Sequence, residues 1–340
     1  MIRLRTVLVL LVSVCVFGLL GQGADTQNSL RFSLPPIMGS LPIALGHSWG
    51  LFKDAALDMQ LVALSDNQAR SLALMAGSID GMVCDVTTAL LLYTSGTQVV
   101  ITSTAYQPQS GSLSILSPSY FRIDSLKDLL ARTEKGNTLK SIALTQMSDL
   151  EYETDTLLSR LGYTVDPAKD YSYWHDMLQL ATFLSLGSVY AAVLPEPYIT
   201  YISEYPSMNP NAKLIHLSDF QGMTLLPSVI VFRRSVVEKS PDLVARFYTA
   251  YRAAIDRINS LTREELIAEG TDQALALFFP GLTKENVPDG IMDHFVIPHF
   301  DSPQMLSKTQ FEDVLSWARA KRYTWKQPTY EEMTTDRFLR

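Results

Sequence analysis

The segment Leu30–Asp85 reads LRFSLPPIMGSLPIALGHSWGLFKDAALDMQLVALSDNQARSLALMAGSIDGMVCD, and it decides the predicted fold. Three short apolar runs predict β-strands, and two stretches with one apolar face predict helices between them. The predicted strands are Arg31–Leu34, Met59–Leu64 and Ile79–Cys84, and the predicted helices are Leu41–Phe52 and Asp66–Met75, the second with Leu72 and Met75 on its apolar side. This βαβαβ order predicts an α/β fold with parallel strands.

Ligands of such sheets bind beyond the carboxyl ends of the strands, where two loops of this segment lie. Glycine in the first loop lets the backbone approach a ligand, and the helix starts that follow both loops offer free N–H groups. The candidate ligand contacts are Met38, Gly39, Ser40, Asp85 and Thr87. The alternative for each is an ordinary turn or cap: Ser40 can cap the first helix, and Asp85 or Thr87 the next one.

Polar residues follow two later predicted strands in the same way. The loop Ser103–Ser112 carries Tyr106 and Gln107, which could stack on a ligand and donate amide hydrogen bonds; a solvated hairpin is the alternative. A second turn follows the predicted strand Lys140–Leu144 and begins a helix. There Gln146 and Ser148 are the candidates, while Asp149 is interpreted as the helix cap.

Two further candidates come from the middle of the chain. Trp174 and His175 end an aromatic strand, Tyr171–His175, and either of them could reach the same cleft, although a lone histidine there is more often structural. Glu196 follows the apolar strand Val189–Leu194, so its carboxylate could accept a hydrogen bond from an amino or ring N–H of a ligand. The alternative for Glu196 is a favourable position in the first turn of a helix.

The N-terminal segment of the 340-residue chain differs in its residue pattern from the rest. Arg3 and Arg5 precede an apolar run, Val7–Leu20, and small residues follow it, which is typical of a secretory signal peptide at residues 1–24. A retained membrane anchor is the alternative. Cys15 raises the possibility of a lipid anchor, but Val14 precedes it where lipoprotein signals usually carry a small residue.

Composition narrows the function classes. The chain is 47% apolar, as in globular proteins, and its length suits two cores of ordinary size. The formal net charge is −7, or −9 after loss of Arg3 and Arg5, which argues against nucleic-acid or anionic membrane binding. Removal of the signal peptide leaves Cys84 as the one cysteine, so no intramolecular disulfide can form.

Motifs of common enzymes and metal sites are missing from the sequence. It contains no HExxH, CxxC, GxSxG, GxxxxGK[ST] or GxGxxG pattern. None of the five histidines is three or four residues from another, so no helical pair of metal ligands is predicted. We therefore predict no cofactor and no metal.

Several motifs, in order, resemble the opening of substrate-binding proteins of ABC importers, in the nitrate/sulfonate/taurine and thiamine-pyrimidine branch. They are Pro42–Ala44, Gly50–Phe52, Leu57–Met59, Leu72–Gly77 and Ile79-Asp80, with Leu194–Tyr198 as a later landmark. The family's Gly-Leu-x-Val is replaced here by Ala56–Met59, so one glycine is missing.

The resemblance implies a two-lobed, periplasmic-binding-protein-like fold of type II, with mostly parallel sheets, flanking helices and a ligand cleft between the lobes. Lobe 1 is expected at residues 25–117 and 225–340, and lobe 2 at 118–224, with crossings at Ser117–Ile123 and Leu225–Phe232. The implied function is an exported, monomeric protein that binds a small molecule and delivers it to an ABC permease.

The ligand is predicted from what the candidate cleft segments contain. They carry aromatic, amide and acidic side chains but neither Arg nor Lys, which favours a pyrimidine, a flavin or another vitamin precursor over nitrate or a sulfonate. Two alternatives stay open: a pyrimidine-precursor biosynthetic enzyme on the same fold, and a ligand-sensing domain of a membrane receptor. The iron-binding, cysteine-rich segment of such enzymes has no counterpart here.

Overall fold

The structure is a computed structural model that describes residues 28–64, 66–134, 142–204, 213–295 and 297–340. The predicted signal peptide and Cys15 lie outside these residues. The strands are β1 (Ser29–Ser33), β2 (Asp58–Leu61), β3 (Gly81–Cys84), β4 (Val99–Tyr106), β5 (Leu113–Pro118), β6 (Ile142–Leu144), β7 (Tyr171–Tyr173), β8 (Ala191–Pro195), β9 (Leu214–Ser218) and β10 (Ser228–Arg233).

Helices cover the faces of the sheets. They are α1 (Leu41–Ser48), α2 (Leu51–Asp54), α3 (Asn67–Ala76), α4 (Val86–Ser95), α5 (Leu126–Glu134), α6 (Asp149–Arg160), α7 (Pro167–Asp170), α8 (Met177–Ser185), α9 (Tyr198–Glu204), α10 (Arg234–Lys239), α11 (Pro241–Ser260), α12 (Arg263–Phe278), α13 (Asp289–His294), α14 (Lys308–Ala320) and α15 (Tyr330–Met333). In the described part of the chain, no helix is both long and apolar enough to cross a membrane.

The strands form two five-stranded sheets, and we call each sheet with its helices a lobe. Lobe 1 has the strand order β2-β1-β3-β10-β4, and lobe 2 has β7-β6-β8-β5-β9. β1 pairs in parallel with β2 and β3, which confirms the prediction from the opening segment. The two-lobed α/β fold is thus confirmed. Each sheet is mixed through a single strand: β10 in lobe 1 and β5 in lobe 2 run antiparallel to both neighbours, and the other four strands of each sheet share one direction.

The chain crosses between the lobes at residues 107–112 and 219–227. The first crossing lies upstream of the predicted Ser117–Ile123, because Leu113–Pro118 is already a strand of the second sheet. Residues 113–117 therefore belong to lobe 2, not to lobe 1 as predicted. The predicted loop Ser103–Ser112 is also shorter than expected, since β4 continues through Tyr106 by pairing with β10.

One predicted helix is split into two. The apolar spacing of Leu41–Phe52 predicts a single helix, but Gly50 adopts a φ of +79° between α1 and α2. This left-handed conformation is easy for glycine and interrupts the helical hydrogen bonds. A Cβ at this position would meet no atom within 4 Å, so Gly50 is used here for its backbone conformation rather than for close packing.

The core of lobe 1 is centred on α11. Its Phe247 packs against three rings from other elements, with centroid distances of 5.1 Å to Phe32, 5.5 Å to Phe52 and 5.3 Å to Phe232. These rings come from β1, α2 and β10, so the aromatic cluster joins the sheet to the helices of the opening segment. Buried aromatic pairs of this kind add to the apolar area removed from water.

Candidate ligand-binding site

A cavity of about 630 Å³ lies between the two lobes. Its walls come from the carboxyl ends of strands in both sheets: from lobe 1 the segments after β1, β3 and β4, and from lobe 2 those after β6, β7 and β8. This is the place where open α/β sheets bind their ligands. The volume lies in the range of small-molecule sites.

Six of the eleven predicted ligand contacts line this cavity. They are Met38, Gly39, Asp85, Tyr106, Ser148 and Glu196. Position 39 has no room for a side chain, because a Cβ on Gly39 would lie 2.2 Å from Ser228 Oγ and 3.1 Å from the Cβ of Ala105. The absence of a side chain at Gly39 therefore leaves room at the junction of the β1 loop with β10.

The other five predicted contacts lie outside the cavity lining. Gln107 donates to the carbonyl of Leu225 at 2.6 Å, and Trp174 Nε1 donates to Ser172 Oγ at 3.2 Å. Gln146 is exposed. The remaining two, Ser40 and Thr87, are buried beside the cavity.

Two of the predicted helix caps are wrong. Ser40 does not cap α1: its hydroxyl is buried and has no hydrogen-bond partner among the described residues. Ser148, rather than Asp149, caps α6, since its Oγ accepts from the Glu151 amide and donates to the Thr145 carbonyl. Asp85 does cap α4, by accepting from the Thr88 amide at 2.8 Å.

The two lobes meet through Asp85 and Asp149. Both carboxyl oxygens of Asp149 accept hydrogen bonds from lobe 1: from the amides of Val86 and Thr87 at 2.9 and 2.8 Å, and from Thr87 Oγ1 at 2.6 Å. Asp85 in turn accepts from the Asp149 amide at 3.1 Å. Burial and the nearby Asp85 charge raise the pKa of Asp149 well above its usual range, and burial also raises the pKa of Asp85.

Glu196 presents its carboxylate at the end of β8. Its Oε2 accepts from the Thr200 amide at 3.2 Å, so the side chain also stabilises the start of α9. Burial raises its pKa. The cap and the cavity position coexist, because one carboxylate can accept several hydrogen bonds.

Three cavity-lining side chains that sequence reasoning missed carry buried polar atoms without a partner in the described part of the chain. The atoms are Arg70 Nε, Thr145 Oγ1 and Ser228 Oγ. Arg70 also corrects the expectation that the cleft lacks a cation. It was missed because the apolar side of its helix was assigned to Leu72 and Met75, which are 56% and 50% exposed, whereas Arg70 and Leu74 face inward.

Within the described residues, the cavity lining also includes a cysteine. Cys84 lines the cavity but is a buried free thiol whose pKa is raised by burial, which makes it a poor nucleophile. No cluster of three or more potential metal ligands occurs in these parts of the chain.

A smaller cavity of about 290 Å³ lies inside lobe 1, between α11, α12 and the segment that ends at His299. Its lining is mostly aliphatic and aromatic. Its amide side chain, Asn259, is already bonded to both backbone groups of Phe300. The interlobe cavity is therefore the better candidate site, since it combines both lobes with unpartnered polar atoms.

Solved structures share this fold at low sequence identity. The aliphatic sulphonate binding protein SsuA from Escherichia coli has a TM-score of 0.67 and 15% identity, covering 90% of this chain and 96% of that one. SsuA from Xanthomonas axonopodis pv. citri, bound to MOPS, has a TM-score of 0.70 and 16% identity, covering 91% and 98%. The nitrate-binding protein NrtA from Synechocystis PCC 6803 has a TM-score of 0.68 and 12% identity, covering 92% and 87%.

Sequence comparisons give no closer relationship. No protein-family model matches the chain, and no curated protein matches it. The structural similarity, over nearly the whole of each chain, shows that this protein has the two-lobed fold of periplasmic binding proteins.

Proposed function

We propose that the protein is an extracytoplasmic solute-binding protein that captures one small molecule between its lobes and delivers it to an ABC importer. The observation that carries the proposal is the interlobe cavity, where polar atoms of Arg70, Thr145 and Ser228 have no partner among the residues that the structure describes. A buried polar atom without a partner costs about 1–3 kcal/mol, and a ligand that bonds it recovers that free energy. The fold shared with sulfonate- and nitrate-binding proteins supports this role.

The two connections between the lobes would let the protein capture a ligand by closing around it. Two segments, 107–112 and 219–227, join the lobes, so the lobes can rotate about them as rigid bodies. Lobe 1 contributes Arg70 and Ser228 to the cavity, and lobe 2 contributes Thr145 and Glu196. A ligand that contacts all of them is bound fully only in the closed form, which a permease can then distinguish from the empty protein.

Export rests on the sequence of residues 1–24, which has the pattern of a secretory signal. We propose a periplasmic or cell-surface location, with Cys15 as the possible point of lipid attachment, and a monomer that meets its permease in the membrane. Mass spectrometry of the exported protein tests this proposal. A mature N-terminus near residue 24 supports cleavage, whereas an N-terminal acylated Cys15 would support the lipid anchor.

For the ligand we propose a planar, nitrogen-containing ring such as a pyrimidine, a flavin or another vitamin precursor. Tyr106 offers an aromatic face beside the cavity, and Glu196 offers an acceptor for an amino or ring N–H. Because Arg70 lines the cavity, the cleft contains a cation, and the choice of ligand rests on Tyr106 and Glu196. Glu196→Gln keeps the shape and a carbonyl acceptor for Thr200 but removes the charge. If this variant bound the ligand as tightly as wild type does, with the exposed Glu312→Gln as control, the carboxylate role would be wrong.

The experiment that tests the proposed function is native mass spectrometry of the freshly purified, mature protein, followed by denaturation and identification of what is released. A ligand present at 100 times its Kd stabilises the folded state by about 2.7 kcal/mol, so it also raises the melting temperature. A released small molecule that restores this temperature supports a binding protein. Turnover of an added compound would favour the enzyme instead.

A further inference from the structure

Arg70 is buried at the cavity, and no carboxylate among the described residues forms an ion pair with it. It lies in the first half of α3 and is 5% exposed. Its side chain makes one hydrogen bond to the described residues, from Nη1 to the Leu64 carbonyl at 3.2 Å, and its Nε has no partner among them. The Nε–Nη2 edge of the guanidinium is therefore left for another group. That edge can donate two parallel hydrogen bonds to one carboxylate.

Other arginines of lobe 1 have a carboxylate partner, which Arg70 lacks among the described residues. Arg31 and Arg233 have more exposed side chains, at 40% and 27%, and both pair with Asp80. Arg70 is in none of the ion pairs found among the described residues, and Asp66 and Asp85 act on it only at longer range. Buried arginines are nearly always paired, because an unpaired buried charge is costly. Burial accordingly lowers the pKa of Arg70.

One other place in this wall that can attract anions, the N-terminus of α4, is already filled. The N-terminus of α4 offers the amides of Val86 and Thr87, and the carboxylate of Asp149 occupies both. An acidic group of a ligand is thus not expected at this helix start, although helix starts often bind anions. Among the described residues that line the cavity, Arg70 is the one arginine or lysine, and His175 adds an imidazole.

We propose that Arg70 binds a carboxylate or a similar oxyanion of the ligand through its Nε–Nη2 edge, so that the cargo is an organic acid with an apolar or ring-shaped body. This inference rests on the proposed function, since it assumes that the interlobe cavity is the ligand site. The body of the ligand contacts the apolar part of the lining, which includes Ile37, Met38, Leu150, Met177 and Phe278. Unpartnered Thr145 Oγ1 and Ser228 Oγ bond further polar atoms of the ligand.

Matched acid and amide pairs test the assignment: nicotinate with nicotinamide, 4-aminobenzoate with 4-aminobenzamide, and indole-3-acetate with indole-3-acetamide. Each probe is titrated into the ligand-free, full-length mature protein by calorimetry and by thermal shift. We expect at least one acid to bind and its amide to bind about 10- to 100-fold more weakly, as the loss of a charge-assisted hydrogen bond predicts.

Three variants locate the effect. We expect Arg70→Met to bind the acid more weakly than wild type by the same factor and to bind the amide with unchanged affinity. Arg70→Lys keeps the charge but not the two parallel N–H donors, so it should recover part of the affinity for the acid. Arg319→Met, on an exposed part of α14, removes the same charge and is expected to behave as wild type. Circular dichroism of each variant checks that it is folded.

The outcomes separate this inference from the proposed function. An amide that binds as tightly as its acid, or an acid that binds Arg70→Met as tightly as wild type, would overturn the role of Arg70 and leave a small-molecule-binding protein in place. If no probe binds and native mass spectrometry releases no small molecule, both proposals fail.

Discussion

Asp85 and Asp149 each place a carboxylate at the N-terminus of a helix in the opposite lobe. Asp149 accepts from the first two amides of α4 in lobe 1, and Asp85 accepts from the first amide of α6 in lobe 2. Both helix dipoles favour a negative charge at these points. This reciprocal contact joins the two lobes directly at the N-termini of α4 and α6.

Loss of this contact is expected to open the empty protein. Asp149→Ala leaves the Val86 and Thr87 amides without their acceptor, which costs about 1–3 kcal/mol per buried donor if water does not replace it. We predict a lower free energy of unfolding by urea and a larger radius of gyration by small-angle X-ray scattering. Asp166→Ala removes a cap inside lobe 2 and is the control; an unchanged radius for Asp149→Ala would contradict the interlobe role.

Glu153 makes stability depend on pH. It is 2% exposed, its Oε1 accepts from the Leu226 amide at 2.6 Å, and its Oε2 has no partner in the described part of the chain. Burial raises its pKa from 4.5 to about 7, against the hydrogen bond from the Leu226 amide and the charge of Arg160, which both lower it. A raised carboxyl pKa means that the folded state binds the proton more tightly than the unfolded state.

The contribution of Glu153 to the free energy of unfolding should therefore fall as the pH rises from about 4.5 to about 7, and it should stay constant at higher pH. Glu153→Gln cannot ionise, so we predict that it is more stable than wild type at pH 8, by about 1–3 kcal/mol, and nearly equal at pH 4.5. Urea unfolding at the two pH values measures the difference. Glu312→Gln on the surface should show neither effect, and a constant difference at both pH values would contradict the assignment.

Lys321 ties the C-terminal part of lobe 1 to α6 of lobe 2. Its Nζ lies 2.9 Å from both Glu151 Oε1 and Asp155 Oδ2, and three rings surround it: Tyr171, Trp317 and Tyr323. Removal of one partner from a buried ionic group costs about 3–5 kcal/mol, because the remaining charges stay buried. Lys321→Met should therefore destabilise the protein by several kcal/mol in urea unfolding.

The matched control is Lys308→Met. Lys308 pairs with Glu331, but both side chains are more than half exposed, so a change of less than about 1 kcal/mol is expected. Equal effects of the two variants would show that the Lys321 cluster does not hold the lobes together.

The sequence predicts the framework of the site better than its polar contacts. The turns and apolar runs that alternate in Leu30–Asp85 are enough to predict the parallel strands β1, β2 and β3. They therefore also predict the edge of the sheet where a ligand should lie. Which face of α3 is inward could not be predicted, because Leu72 and Met75 have the right spacing for a core face. Tertiary packing instead turns Arg70 inward.

Contacts between the lobes were beyond sequence reasoning for a similar reason. Thr87 is a sensible ligand contact when only its own loop is considered, and Asp149 is a sensible cap of its own helix. Their hydrogen bond, at 2.6 Å, joins residues 62 positions apart, on helices of different lobes. Local patterns carry no information about such a pair, which only the arrangement of the two lobes creates.

Ser228 provides a test that separates stability from binding. Its Oγ is buried at the cavity and has no partner among the described residues, so Ser228→Ala should leave the empty protein as stable as wild type or up to about 1 kcal/mol more stable. Affinity for the released ligand should fall if that hydroxyl bonds it. Ser103→Ala is the matched control: its Oγ is also buried but accepts from Tyr248 Oη at 2.8 Å, so it should lose about 1 kcal/mol of stability with unchanged binding. Urea unfolding without ligand and calorimetry with it measure both effects. A Ser228→Ala variant that is destabilised as much as Ser103→Ala, with full affinity, would show that Ser228 supports the fold rather than the ligand.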